Sequence, residues 1–205
     1  MTDEIYRLLV AASYAIPSFA LSARFYHVWR APLEVEEGRW INLGVGVLTM
    51  EFILLHAGTF LGAQAIAAGN DGNRLLGIAG ILAFYCLFVG AIALAFRSPS
   101  LAYSFLWLIG GRFVATALGV GRQDGELLLA HSIVGSVIYF ALVIGSVVVP
   151  IPRLGITAEL AARHRLPGSS GTWVDEPHRA IAAGALYFLL FGIAEVALLT
   201  MRAGW

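Results

Sequence analysis

The sequence predicts an all-α protein, a polytopic bundle of about six transmembrane helices. Hydrophobic residues make up 59% of the 205 residues and charged residues only 13%, whereas about a quarter of the residues in ordinary soluble domains are charged. A helix needs about 20 mostly apolar residues to cross a bilayer core of about 30 Å. Six such stretches with short connections occupy nearly the whole chain, so we expect residues 1–205 to form a single membrane domain.

The first three predicted spans cover residues 5–25, 40–67 and 75–96. Pro17 lies in the middle of the first span and should kink it. The second span begins at Trp40, a residue type that is favoured at membrane interfaces, and residues 69–72 form a turn by composition. Tyr85 and Cys86 are the only ionisable residues of the third span, which favours a structural or lipid-facing role for that helix.

The last three predicted spans cover residues 101–120, 126–149 and 179–201. The connection formed by residues 97–100 is too short for anything but a tight return, so the third and fourth spans should be antiparallel neighbours. Pro150 and Pro152 end the fifth span, because proline lacks the backbone N–H that a helix interior requires.

Residues 150–178 form the only sizeable extramembrane loop in this prediction. Thr157 is a typical helix N-cap. The apolar residues Ile156, Leu160 and Ala161 lie beside a group of basic residues. This pattern predicts a short basic helix that lies on the membrane surface.

The arginine distribution predicts the orientation of the helices. All 13 basic residues are arginine, and cytoplasmic loops carry an excess of basic residues. The first, third and fifth connections carry Arg24, Arg30, Arg39, Arg97, Arg153, Arg163, Arg165 and Arg179. The opposite side carries Arg7, Arg74, Arg122 and Arg202. We therefore expect a multi-pass protein of the cytoplasmic (inner) membrane with both termini outside.

Polar residues within the predicted spans are the candidates for function. A charged side chain at the centre of a membrane helix costs about 2.5 to 3.5 kcal/mol on insertion scales, so such residues usually face a protein interior or water. The predicted polar intramembrane site consists of Glu51, His56, Arg112, His131 and Glu195. Helix alternation predicts that four of the spans place these polar groups in or near the outer half of the bundle.

Three interpretations of this set remain open. In the first, Arg112 neutralises Glu51 or Glu195 in a structural ion-pair network. In the second, the groups line a route for a proton, an ion or a small solute. In the third, His56 and His131 ligate haem b or, with Glu195 or Glu51, a metal ion. The two histidines differ in estimated depth by about 8 Å, which weakens the haem interpretation.

The second predicted span presents two different faces. Glu51 shares one face with Gly58 and Gly62, and this glycine face predicts the close approach of a neighbouring helix. His56 lies five residues after Glu51, about 140° around the helix, and therefore cannot point at the same centre.

The leading hypothesis is a small inner-membrane protein that moves a proton, ion or small solute. The alternative is a metal-binding, haem-binding or scaffolding subunit of a larger membrane complex. The expected partners are the lipid bilayer and, in the alternative, other membrane subunits or a second copy of the chain. The formal net charge of zero argues against nucleic acid. Enzymatic activity is disfavoured, because Ser169 and Ser170 lie in a predicted aqueous loop without the buried context that a serine nucleophile needs.

Overall fold

A computed structural model describes residues 3–67, 73–95, 122–165 and 170–202 of the chain. Within these ranges the backbone forms helices and turns and contains no strand. The all-α fold class predicted from the sequence is therefore confirmed for the described part of the chain.

Helices account for nearly all of the described residues. In chain order they are α1 (Asp3–Arg30), α2 (Trp40–Ala67), α3 (Asn73–Ala95), α4 (Arg122–Val148), α5 (Ala158–Arg163), α6 (Thr172–Asp175) and α7 (Pro177–Arg202). Two short 3-10 turns, Pro32–Glu34 and Glu36–Gly38, connect α1 to α2. The proline that begins α7 suits the first turn of a helix, where its missing N–H would have no partner within the helix.

Three of the described helices are long and apolar enough to cross a membrane. The candidate spans are Trp40–Gln64 in α2, Gly125–Val148 in α4 and Pro177–Leu198 in α7, and α3 contains a shorter apolar stretch, Ala79–Leu94. The predicted fourth span, residues 101–120, lies outside the described residues, so the number of six spans stays a prediction.

The chain packs as two units. Unit 1 comprises Met1–Val45 and Val137–Trp205, and unit 2 comprises Gly46–Ser136. Helices α2 and α4 each contribute residues to both units.

Unit 1 is built on the antiparallel pair of α1 and α7. The buried face of α1 repeats every three or four residues, as a helix that packs along one side requires, and consists of Ala15, Ser18, Ser22, Phe25 and Val28. The ring of Phe25 fills the space above Gly184, whereas Phe19 contacts Gly192. The earlier residue of α1 therefore contacts the later residue of α7, as in an antiparallel pair. The first residues of α1 lie at the same end of the pair as the last residues of α7.

A folded cap covers the opposite end of this pair. The cap consists of residues 31–39, 149–165 and 170–176. The indole N–H of Trp29 donates to the carbonyl oxygen of Pro152 at 2.9 Å. The backbone N–H of Gly155 donates to the carbonyl oxygen of Trp29 at 3.0 Å. The side-chain amide of Asn42 donates to the carbonyl oxygen of His164. These bonds join the two predicted loops into one layer.

The short helix α5 begins where the sequence predicts it. The hydroxyl oxygen of Thr157 accepts a hydrogen bond from the backbone N–H of Leu160 at 3.2 Å, which satisfies one of the N–H groups at the helix start. The apolar residues Ile156, Leu160 and Ala161 are buried within unit 1. The apolar face that the sequence assigned to the membrane surface therefore packs against protein.

Unit 2 places α3 and α4 on different faces of α2. Met50, Ile53, Ala57, Leu61, Tyr85 and Val89 form the buried cluster between α2 and α3. On another face of α2, a Cβ atom built at Gly62 would lie only 2.9 Å from the backbone nitrogen of Leu129, and one at Gly58 would collide with the hydroxyl of Ser132. The predicted close helix approach at Gly58 and Gly62 is confirmed, and α4 is the neighbouring helix.

Candidate functional site

A buried carboxyl group lies between the first and last helices of the chain. Glu195 on α7 is 6% exposed and Ser18 on α1 is 7% exposed. The hydroxyl of Ser18 donates a hydrogen bond to Oε2 of Glu195 at 2.7 Å. Among the five residues of the predicted polar site, Glu195 is the one whose side chain contacts a second helix within unit 1.

Small and aromatic residues pack near this pair. Phe19, one position after Ser18, occupies the site above Gly192, where a built Cβ atom would lie 3.0 Å from its ring. Phe191 stacks on Tyr187 with ring centroids 5.5 Å apart. A ring of one helix therefore packs against a glycine of the other, next to the position where Ser18 and Glu195 meet.

Three aromatic rings separate this pair from the cap. Phe25 is completely buried, and its ring lies 5.6 Å from that of Trp40 and 5.5 Å from that of Phe188. We call Phe25, Trp40 and Phe188 the aromatic seal. The guanidinium of Arg24 lies 5.1 Å above the ring of Trp40 and pairs with Glu36 of the cap at 3.0 Å, which ties the seal to the cap.

The structure divides the predicted polar set between the two units. Glu195 belongs to unit 1, whereas Glu51, His56 and His131 belong to unit 2. Arg112 lies outside the described residues, and so does its predicted ion pair with Glu51 or Glu195. Glu51 is half-buried on the glycine face of α2, as predicted.

The two histidines of unit 2 share one local geometry. The Nδ1 atom of His56 lies 2.8 Å from the carbonyl oxygen of Phe52, and that of His131 lies 3.0 Å from the carbonyl oxygen of Leu127. A carbonyl oxygen only accepts, so in each ring Nδ1 carries the proton. In a neutral imidazole Nε2 is then the nitrogen with the lone pair, which is the form that ligates metals.

The register of α2 and α4 brings these histidines close in depth. Gly58 contacts Ser132 and Gly62 contacts Leu129, so His131 is level with about residue 59 of α2. His56 is then only about 4.5 Å away along the helix axis, less than the sequence estimate. The direction differs, however, because His56 lies two residues before Gly58, about 160° around α2 from the face that meets α4.

The described residues contain no group of three or more His, Cys, Asp or Glu side chains that could hold a metal ion. The predicted metal ligands are divided between the units, with His56 and His131 in unit 2 and Glu195 in unit 1, so this site stays a prediction.

Sequence reasoning missed the hydroxyl partners on α1. Ser18 and Ser22 lie one turn apart on the buried face, and the hydroxyl of Ser22 donates to the carbonyl oxygen of Ala185 at 2.8 Å. Their spacing of four residues, in step with Ala15 and Phe25, was the available signal.

An ionic cluster holds the cap against the start of α7. Glu176 accepts from Arg179 at 2.5 Å and from Arg153 at 3.0 Å. Arg179 also donates to the carbonyl oxygen of Ser146 near the end of α4 at 2.8 Å. The hydrogen bond from Arg179, helped by its charge and that of Arg153, lowers the pKa of Glu176 below the ordinary carboxyl value.

Next to this cluster in the chain, His178 is 2% exposed and hydrogen-bonds to the backbone of Ile151.

Comparison of the chain with protein-family models, with curated proteins and with solved structures found no match.

Proposed function

We propose that this membrane protein binds and moves a proton at an intramembrane carboxyl group, and that Glu195 is this group. The observation that carries the proposal is the buried hydrogen bond of 2.7 Å between Ser18 and Glu195. Ionisable residues within membrane helices are costly, and carboxyl groups there are typical of proton relays. A leucine would fill the same apolar interface without that cost.

The geometry favours a proton over a metal cation. Metal cations such as Ca²⁺ take six to eight oxygen ligands, each about 2.3 to 2.6 Å from the ion. Two oxygen atoms 2.7 Å apart share a hydrogen atom, since this is the usual length of an O–H···O hydrogen bond. A cation between Ser18 and Glu195 would have to push the two oxygens apart.

The proposed location is the cytoplasmic membrane, with both termini on the outer side. The antiparallel packing of α1 and α7 supports placing the two termini together, and the excess of arginine in the first and fifth connections supports a cytoplasmic cap. Reporter fusions at Met1 and Trp205 test this orientation, and a cytoplasmic signal from either would contradict it.

Proton flux through purified protein in liposomes tests the central proposal. A potassium diffusion potential drives protons inward, and a trapped pH-sensitive dye records them. We expect Glu195→Gln to abolish the flux, because glutamine still accepts the hydrogen bond from Ser18 but cannot take up a proton.

The matched control is Glu159→Gln, since Glu159 is an exposed residue of α5 that pairs with Arg163. This variant should conduct like the wild type. Wild-type flux through Glu195→Gln, or equal loss in both variants, would refute the role of Glu195.

The second candidate function is cofactor binding by the histidines of unit 2. It is supported by the shared geometry of His56 and His131, in which Nε2 is the ligating nitrogen. An optical spectrum and metal analysis of the purified protein test it. Absence of both a Soret band and stoichiometric metal would eliminate this candidate without affecting the proton proposal.

A further inference from the structure

We infer that, in the conformation that the structure describes, Glu195 exchanges its proton through one end of the α1–α7 pair, the end at which α1 begins and α7 ends. The exchange itself transfers a proton from hydronium to a carboxylate oxygen and returns it to water. This inference rests on the proposed function, and it adds a direction: protons reach the site from the terminal face, and their movement to the other face requires the aromatic seal to open.

The position of Glu195 along α7 is the first support. It lies seven residues before Arg202, about 10 Å from the terminal end, and eighteen residues after Pro177, about 27 Å from the capped end. Water therefore has a short distance to cover from the terminal face and most of the membrane thickness from the capped face.

The packing between Glu195 and the cap is the second support. Phe25, Val28 and Ile181 are all completely buried on this side. A Cβ atom at Gly184 would collide with the ring of Phe25, and one at Gly44 would collide with Ile181. Glycine is thus needed on both sides of the ring, which shows that the rings fill the space between the helices there. An interface packed this tightly leaves no room for a water chain.

The hydrogen bonds of α1 are the third support. Ser22 is the nearest hydroxyl to Ser18 on the buried face in the direction of the cap, and its proton is donated to the backbone oxygen of Ala185. The next two positions of that face are Phe25 and Val28, which have no polar side-chain atoms. The polar row along the described face of α1 therefore ends before the seal.

Cysteine accessibility tests the inference without measuring transport. In a Cys86→Ser background, single cysteines replace Ala15, on the terminal side of the carboxyl pair, and Ser22, between that pair and the seal. A membrane-impermeant maleimide is added to right-side-out or inverted vesicles. The control variant Ala158→Cys carries its cysteine at an exposed position of the cap and reports labelling from the capped face.

We expect Ala15→Cys and Ser22→Cys to react from the terminal face and to react much more slowly from the capped face, where Ala158→Cys reacts. Labelling of Ser22→Cys at least as fast from the capped face as from the terminal face would overturn the inference, and so would lack of reaction at both buried positions from the terminal face. Labelling depends on water access alone, so a correct accessibility pattern in a protein without proton flux would refute the proposed function and leave the direction of access standing.

Discussion

The two units each contain an antiparallel helix pair in which glycine provides the contact, yet the two pairs use glycine differently. In unit 2 the glycine at position 62 lets two backbones touch, since a Cβ atom there would lie 2.9 and 3.0 Å from backbone atoms of α4. In unit 1 the glycines at positions 184 and 192 receive the rings of Phe25 and Phe19.

This difference coincides with the position of a buried polar pair. Direct backbone contact gives the van der Waals packing that holds membrane helices together, but it leaves no room between them. In unit 1, Ser18 and Glu195 meet between α1 and α7 next to the contact at which the ring of Phe19 packs on glycine. The buried polar pair of unit 1 therefore lies among side-chain contacts, whereas the backbones themselves touch at Gly62.

The largest expected effect is loss of the ring at the centre of the seal. Phe25→Ala removes a completely buried side chain and should lower the free energy of unfolding by about 3 to 5 kcal/mol, because the rigid glycine-lined site cannot collapse onto the cavity. Thermal unfolding in detergent measures it. Phe19→Ala, at a ring that is 37% exposed, is the control, and an equal loss in both variants would show that Phe25 is no more tightly packed than Phe19.

A smaller effect is expected from adding one methyl group at the backbone contact of unit 2. Gly62→Ala forces its Cβ against the backbone of Gly125 and Leu129 and should cost about 1 to 3 kcal/mol of unfolding free energy, as overpacking typically does. At Gly90 nothing lies within 4 Å of a built Cβ, so Gly90→Ala should leave the melting temperature unchanged or raise it through helix propensity. A Gly62→Ala protein as stable as the wild type would remove the distinction between the two pairs.

The contact at Gly62 was predictable from sequence, whereas the pair of Ser18 and Glu195 was not. Two glycines four residues apart identify the face of a single helix, and any neighbouring helix satisfies that pattern. The partner of Glu195 is 177 residues away in the chain, and its choice depends on the rotation of α1 about its axis. Hydropathy gives the depth of a residue in the membrane but not this rotation.

In the cap, too, local features were predictable from the sequence and long-range contacts were not. The N-cap at Thr157 follows from a local hydrogen bond and was predicted correctly. The apolar residues Ile156 and Leu160 fit a lipid surface or a protein surface equally well by composition. Their burial in unit 1 depends on contacts such as that of Gly155 with Trp29, more than a hundred residues earlier, and such contacts leave no mark in local sequence.

The smallest expected effect is a difference in the pH dependence of hydrogen exchange between the ionic cap of unit 1 and the glycine contact of unit 2. The pKa of Glu176 is lowered in the folded chain by Arg179, so the pairing stabilises the cap above the ordinary carboxyl pKa and is lost as the pH falls toward the lowered value. Hydrogen exchange, corrected for its intrinsic pH dependence, should therefore accelerate in the cap on acidification. Peptides around Gly62 should change less, because Gly62 packs against backbone atoms of Gly125 and Leu129, which do not titrate. In the Glu176→Gln variant, hydrogen exchange in the cap should be faster already at neutral pH and should respond less to acid. Exchange like that of the wild type at every pH would show that the ionic cluster does not hold the cap.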